Sequence, residues 1–424
     1  MYDIFSLKDF TFPAGFAWGS STAGHQIEGD NIHSNNWQIE QNKRKNDPKA
    51  EVSGKACNSY NMVEEDIKLL KSLGHKMYRM SVEWCRIQPE EGVFDKDATE
   101  HYVKQLALLK ENNIKTCVTL VHCVVPQWFA EKGGFSNLEN YKYFETHINY
   151  IVPKIAPYVD LWNVFNEFNA GVDDYARNVK FNHVICHSRA YHLIKKYSSA
   201  PISSAHAFVQ FYAKRQHDLF DRRLQEWYDM MHNEFFFHAI RTGELVVPGK
   251  DGIYDKEIKD TCDYWAVNLY VRRILDARKA DPYAQAYPFT RMKMIGEDFY
   301  WEEFHPETMY TCLMRLTDKP IYVTENGISC DNDDFRIVQI AEYLAAMHAA
   351  IKDGADVKGC LHWSLMDNYE WYSYLPRFGL CDVDFNGDYH RTPKPSALFY
   401  KDIIDNNGFT QEILRKYLHE MPRL

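Results

Sequence analysis

Two stretches far apart in the chain each end an apolar run on a glutamate with an asparagine beside it. In WNVFNEF, the residues Leu161, Trp162, Val164 and Phe165 give way abruptly to Asn166 and Glu167. In the second stretch, Ile321, Tyr322 and Val323 lead through Thr324 to Glu325, followed by Asn326 and Gly327. Two carboxyl groups facing one bound molecule can divide acid and base work if their surroundings push their ionisation apart. Such a pair suits acetal cleavage, which needs a proton on the departing oxygen and negative charge or a nucleophile at the anomeric carbon. In a chain with 59 acidic residues, one glutamate at a strand end says little. Two in matching contexts say more.

The elements that would position such a pair follow from the apolar pattern. Short apolar runs at Phe16 to Gly19, Met77 to Ser81, Thr116 to Val121, Asp160 to Phe165, Ile202 to Ala205, Tyr264 to Val267, Ile321 to Thr324 and Cys360 to Trp363 read as eight buried strands. Helical stretches alternate with them, among them Met62 to Leu73, Asp97 to Glu111 and Ile337 to Ile351. A right-handed βα unit repeated eight times closes into a barrel. The expected fold class is therefore α/β, a single (β/α)8 TIM barrel spanning residues 1–424 as one domain. The longer connections, Gly24 to Cys57, Gln210 to Asp260 and Val271 to His305, are expected to be loops that decorate it. Barrel enzymes place their chemistry where strands end. Those positions hold Gln26, Arg79, His122, Glu167, Asn268, Tyr270, Glu325 and Trp363.

Composition removes several other function classes. The chain has 49 basic and 59 acidic residues, a net charge of -10, and no basic stripe, which argues against a nucleic-acid partner. The opening MYDIFSLKDFTFP lacks the basic start and apolar core of a signal peptide, and no run of 18 apolar residues would span a membrane. The 10 cysteines are scattered singly, without CxxC or zinc spacing. Reduced thiols, a cytoplasmic setting, no cofactor and no metal are the expectation. Oligomeric state is not legible.

These residues resemble glycoside hydrolase family 1, the retaining β-glucosidase and β-galactosidase family, from about Phe12 to Tyr400. The resemblance is carried by FAWGSSTAGHQIEG, YRMSVEWCRIQPEEG, WNVFNEF, YVTENG and WSLMDNYEWYSYLPRFGL, and several details are similar to the archaeal-type branch. It implies that Glu167 is the general acid/base and Glu325 the nucleophile of a double displacement through a glycosyl-enzyme. It further implies that Arg79, Asn268 and Tyr270 orient the nucleophile and that Asn166 bonds the sugar 2-hydroxyl. Gln26, His122, Glu370 and Trp371 would hold the outer hydroxyls, with Trp363 as the floor under the ring. Amides and carboxylates suit hydroxyls, and a flat indole suits the apolar CH face of a sugar.

The chain departs from the family pattern in places. Phe168 replaces the usual proline after the glutamate, and Cys123 stands where a pocket-walling Trp is common. The stretch from Glu370 to Arg377 is one residue short, and the segment from Asn169 to His187 lacks the usual Gly-Pro-rich loop. Glu370 and Trp371 occupy positions where phosphosugar-specific relatives carry a phosphate cradle, and a carboxylate there would repel phosphate. The implied substrate is an unphosphorylated β-glycoside, small or oligosaccharide, with glucose foremost and the galacto and fuco rings left open. Transglycosylation uses the same glutamates. A non-catalytic sugar-binding barrel is disfavoured because both glutamates are present.

Overall fold

The computed structural model describes residues 3–170, 174–279 and 304–422. Eight parallel strands form a closed barrel: β1 (Ala17–Ser21), β2 (Met77–Ser81), β3 (Lys115–Val121), β4 (Leu161–Asn166), β5 (Ile202–Ala207), β6 (Trp265–Asn268), β7 (Ile321–Asn326) and β8 (Val357–Trp363). Each follows its predecessor around the ring, and β8 closes on β1 with Cys360 opposite Trp18. Nearly every strand residue is buried. That explains continuous apolar runs rather than half-polar alternation, because helices cover the outer face and side chains fill the inner one.

The inside of the barrel is layered. At its floor, Ala17, Met77, Cys117, Leu161, Ala205, Ala266 and Leu361 pack together as an apolar plug. One layer higher the inward positions become polar, with Arg79, Thr119, Asn268 and Thr324 hydrogen-bonded to one another or to the groups above. The barrel is therefore apolar and sealed below and polar above.

Helices α1 (Val63–Ser72), α2 (Lys96–Glu111), α3 (Tyr141–Ile155), α4 (Asp174–Ile194), α5 (Phe235–Thr242), α6 (Glu307–Leu313), α7 (Asp333–Lys352) and α8 (Pro395–Asn406) form the outer layer. Two of the starts carry side-chain caps: Asp95 accepts from the Ala98 amide at α2, and Asn332 from Asp334 at α7.

Three connections differ from the expected loops. Residues 210–260 hold a continuous helical run, Leu219–Asp229, a π turn Met230–Glu234 and then α5, and this run is the crossover between β5 and β6. Its apolar face is concentrated in FFF at 235–237, too short a run to stand out in the sequence. Residues 24–57 carry the helix Asn35–Asn46, which is polar on almost every side and so shows no apolar period. In the connection from Val271 to His305, Arg272–Leu275 pairs with Gln210–Ala213, and residues 280–303 lie outside the described residues.

One position ties sequence to closure. A Cβ at Gly19 would lie 1.7 Å from the Met77 carbonyl oxygen of the adjacent strand, a backbone atom that cannot swing aside. Gly19→Ala should therefore cost at least the ~1–3 kcal/mol typical of overpacking. Urea unfolding would read this as a lower midpoint with an unchanged slope. An unchanged midpoint would mean that β1 and β2 are less tightly apposed.

Candidate active site

The tops of the strands open into a cavity of about 230 Å³. Gln26, His122, Asn166, Glu167, Asn268, Tyr270, Glu325, Trp363, Glu370 and Trp371 all line it, together with Cys123. Arg79 lies beneath, fully buried, and reaches the cavity through its partners. The structure thus brings all the residues singled out from sequence to one place.

Backbone irregularity aims the two carboxylates. In β7, Tyr322 and Thr324 face the barrel interior, so strict alternation would turn Glu325 outward. The pairing shifts register between Val267 and Asn268 opposite β7, and again after Val323 opposite β8. Glu325 thereby faces the cavity along with Thr324. A shift between Asn163 and Asn166 does the same on β4: Phe165 packs outward on Phe135 and Phe144, and Asn166 turns in. Bulges of this kind re-aim side chains beside active sites. Glu167 then adopts φ 49°, in the left-handed region, while its amide still donates to the Ala205 carbonyl at 2.8 Å. Phe168 anchors that turn by packing face to face on His183, 5.4 Å between ring centres, and edge-on to Phe236.

A hydrogen-bond chain fixes every polar orientation. Arg79 can only donate: it bonds the Glu325 carboxylate, the Asn166 side-chain oxygen at 2.6 Å and Thr119 at 3.2 Å. The oxygen of Asn166 is thereby committed, so its amide nitrogen donates to Nε2 of His122 at 3.2 Å. Nε2 of His122 is then the acceptor and Nδ1 carries the proton. Burial lowers the His122 pKa well below its usual value, and the Arg79 charge adds to this, so the ring is neutral. Nδ1 of His122 and Oε1 of Gln26 are buried without a partner, one a donor and one an acceptor, both on residues that line the cavity. Gln26 is held through its nitrogen by Asn368, the Tyr369 carbonyl and Glu370. Trp363 donates its indole N–H to Glu370 at 2.9 Å and stacks on His122, 5.8 Å away.

The two glutamates have opposite surroundings. Glu325 receives Arg79 and, at 2.7 Å, the hydroxyl of Tyr270. Burial pushes the Glu167 carboxyl up to about 7, with the nearby negative charge of Glu325 as the next contribution. The sequence-based expectation for Asn268 needs correction. Its amide donates to Glu167 at 2.7 Å and to Asn166 at 3.0 Å, and its oxygen accepts from Thr324, so among its hydrogen bonds none goes to Glu325. Asn268 ends its strand directly opposite Glu325 in the pairing, yet its amide is directed across the cavity to Glu167 and Asn166. Cys123 is exposed at the cavity wall, and its thiol makes only long contacts with Asn166.

Several contributors have no distinct mark in the sequence. Thr119, on β3, supports Arg79, while Thr324 in YVTENG supports Asn268 and Asn368 in WSLMDNYEW supports Gln26. Their place within apolar runs and motifs is the only signal that could single them out. Phe208 and Phe378 complete the apolar wall; nothing in the local sequence marks Phe208, and Phe378 is marked only by falling within WSLMDNYEWYSYLPRFGL. Among the described residues no three His, Cys, Asp or Glu side chains are grouped to hold a metal ion, and no helix is long and apolar enough to cross a membrane. All ten cysteines are free thiols.

Comparison with known proteins agrees with this geometry. A model of glycosyl hydrolase family 1 matches residues 8–409. Beta-glucosidase A of Acetivibrio thermocellus is 30% identical over 95% of this chain and all of its own. A beta-galactosidase of Saccharolobus solfataricus is 28% identical, covering 97% of this chain and 98% of its own. The structure of a beta-glycosidase from Pyrococcus horikoshii superposes with a TM-score of 0.82 at 31% identity, over 96% of this chain and 98% of that one.

Opposite shifts in Glu167 ionisation are expected from two substitutions. Glu325→Gln removes a repelling charge and should lower the pKa from about 7, while remaining burial keeps it above the ordinary value. Asn268→Ala removes a donor that favours the carboxylate and should raise it. Carboxyl-labelled NMR titration reads both. If Asn268→Ala left Glu167 unmoved, the amide would not be bonded to it.

Proposed function

The chain belongs to glycosyl hydrolase family 1, and from that membership we propose that it hydrolyses unphosphorylated β-D-glycosides with retention of configuration, using Glu167 as acid/base and Glu325 as nucleophile. The observation that carries the assignment is the asymmetry of the two carboxyls. Glu325 sits against a guanidinium that can only donate, whereas Glu167 is held near pKa 7 in a buried setting. An acid poised near neutrality can give its proton to a departing oxygen and then take one from water.

In the first step Glu325 attacks the anomeric carbon while Glu167 protonates the leaving oxygen, and the aglycone departs as an alcohol. The ester so formed is broken by a water whose proton returns to Glu167. As the glycosyl bond forms, Glu325 loses its charge and Arg79 keeps its own. The repulsion that held Glu167 protonated falls away as Glu167 becomes the base, which matches the second step. The Asn166 amide, Oε1 of Gln26, Nδ1 of His122 and the Glu370 carboxylate would meet ring hydroxyls, and Trp363 would lie beneath the ring. Glucose is the leading glycone. The relatives named beta-glucosidase and beta-galactosidase support a site tolerant at C4. Glu370, bonded by both Trp363 and Gln26, leaves no cradle for a 6-phosphate.

The test is turnover of aryl β-glycosides that differ only in the sugar. Glu325→Gln should abolish it. Glu167→Ala should lower kcat by about 10²–10⁴-fold and be partly restored by azide, which needs no base. Activity should fall as pH rises through about 7, because the acid form of Glu167 is lost. An inverted product anomer by NMR would rule out a covalent glycosyl-enzyme on Glu325, and a lack of azide rescue would remove Glu167 as the acid/base.

A further inference from the structure

A second cavity of about 470 Å³ lies between the segment after β3 and the segment after β4. It shares Cys123, Asn166 and Glu167 with the catalytic cavity, so the two spaces border each other at the sugar site. Cys123 is the doorway: its side chain is exposed, whereas the other nine cysteines are buried. An indole in its place, as the family resemblance would supply, would occupy the doorway. The far wall is built to bind. Phe135 and Phe168 line it together with Asn35, Ser136 and His183, a mixture that suits a sugar's CH faces and hydroxyls. His183 is only 8% exposed. Its Nδ1 donates to the Val179 carbonyl at 2.7 Å, and its ring is held parallel to Phe168. That leaves Nε2 as a lone-pair acceptor with no hydrogen bond among the described residues.

We propose that this chamber receives a second sugar carried on the glycone itself, so that the enzyme cleaves β-glycosides whose glycone is branched at O2. The inference rests on reading Asn166 as the partner of the 2-position. Arg79 and Asn268 occupy the oxygen of Asn166, so Asn166 offers O2 only its N–H. A glycosylated O2 still accepts that bond, and its substituent leaves the ring beside Asn166, at the shared wall. The chamber has about twice the volume of the cavity that would hold one ring.

The probe is 4-nitrophenyl β-sophoroside, which carries a glucosyl unit on O2 of the ring bearing the nitrophenyl group. Water adds at the anomeric carbon and nitrophenol leaves, so the expected first products are nitrophenol and intact sophorose. Release of glucose first, leaving nitrophenyl glucoside, would overturn the inference, because the second sugar would then be acting as the glycone. Cleavage of 4-nitrophenyl β-glucoside with no cleavage of the sophoroside would overturn it as well, while leaving the proposed function standing. Failure with both probes would sink both. Cys123→Trp and, separately, His183→Leu should each lower kcat/KM for the sophoroside, relative to the plain glucoside, by about tenfold or more. An unchanged ratio in both variants would also overturn it.

Discussion

The site depends on one interaction, the guanidinium of Arg79 buried at the top of the barrel with Glu325 against it. A cation with no access to water must be met by an anion and by acceptors for its remaining donors. Glu325, Asn166 and Thr119 meet that requirement from three different strands. Removing one partner of such a pair typically costs ~3–5 kcal/mol because the other charge is stranded. Retained burial of this kind belongs with function more than with stability. The same contact that pins Glu325 in place keeps its charge where Glu167 feels it.

From that contact the polarity of the whole cavity follows in sequence. Arg79 fixes which way Asn166 points, Asn166 fixes the tautomer of His122, and Asn268 completes the link to Glu167. Buried networks gain from being fully satisfied and lose heavily when they are not. Here Oε1 of Gln26 and Nδ1 of His122, on two residues that line the cavity, are buried without a partner.

Much of this is legible in the sequence, for a physical reason. Barrel strands are buried on both faces, so each reads as an apolar run, and the residues that end those runs must lie at one rim. That alone places Glu167 and Glu325 together. Alternation within a strand does not go as far. Read strictly, it would send Glu325 and Asn166 outward, and the register shifts that turn them inward depend on pairing with neighbouring strands. Asn268 stands opposite Glu325 but bonds Glu167 and Asn166, and no apolar pattern could tell which carboxylate its amide would meet. The helix Asn35–Asn46 escapes notice because it has no apolar stripe to betray it, and Phe208 and Phe378 because a wall residue needs only bulk.

The departures from the family pattern have a common location. Cys123 lies at the start of the segment after β3, and Phe168 follows Glu167 just past the end of β4, so both border the same side of the cavity. The groups that set charge come from elsewhere: Arg79 from β2, Asn268 and Tyr270 from the end of β6, Glu325 from β7. Chemistry and shape are thus carried by different parts of the rim. A change in wall volume at Cys123 alters which molecules fit without breaking the charged network, since the thiol makes only long contacts with Asn166. Phe168 compensates on the outer side, where its packing on His183 and Phe236 holds the strained turn at Glu167 that a rigid ring would otherwise hold. Such a division lets one set of carboxylates serve a differently shaped substrate, because the energy of proton transfer depends on the charges and selection among glycones on the walls.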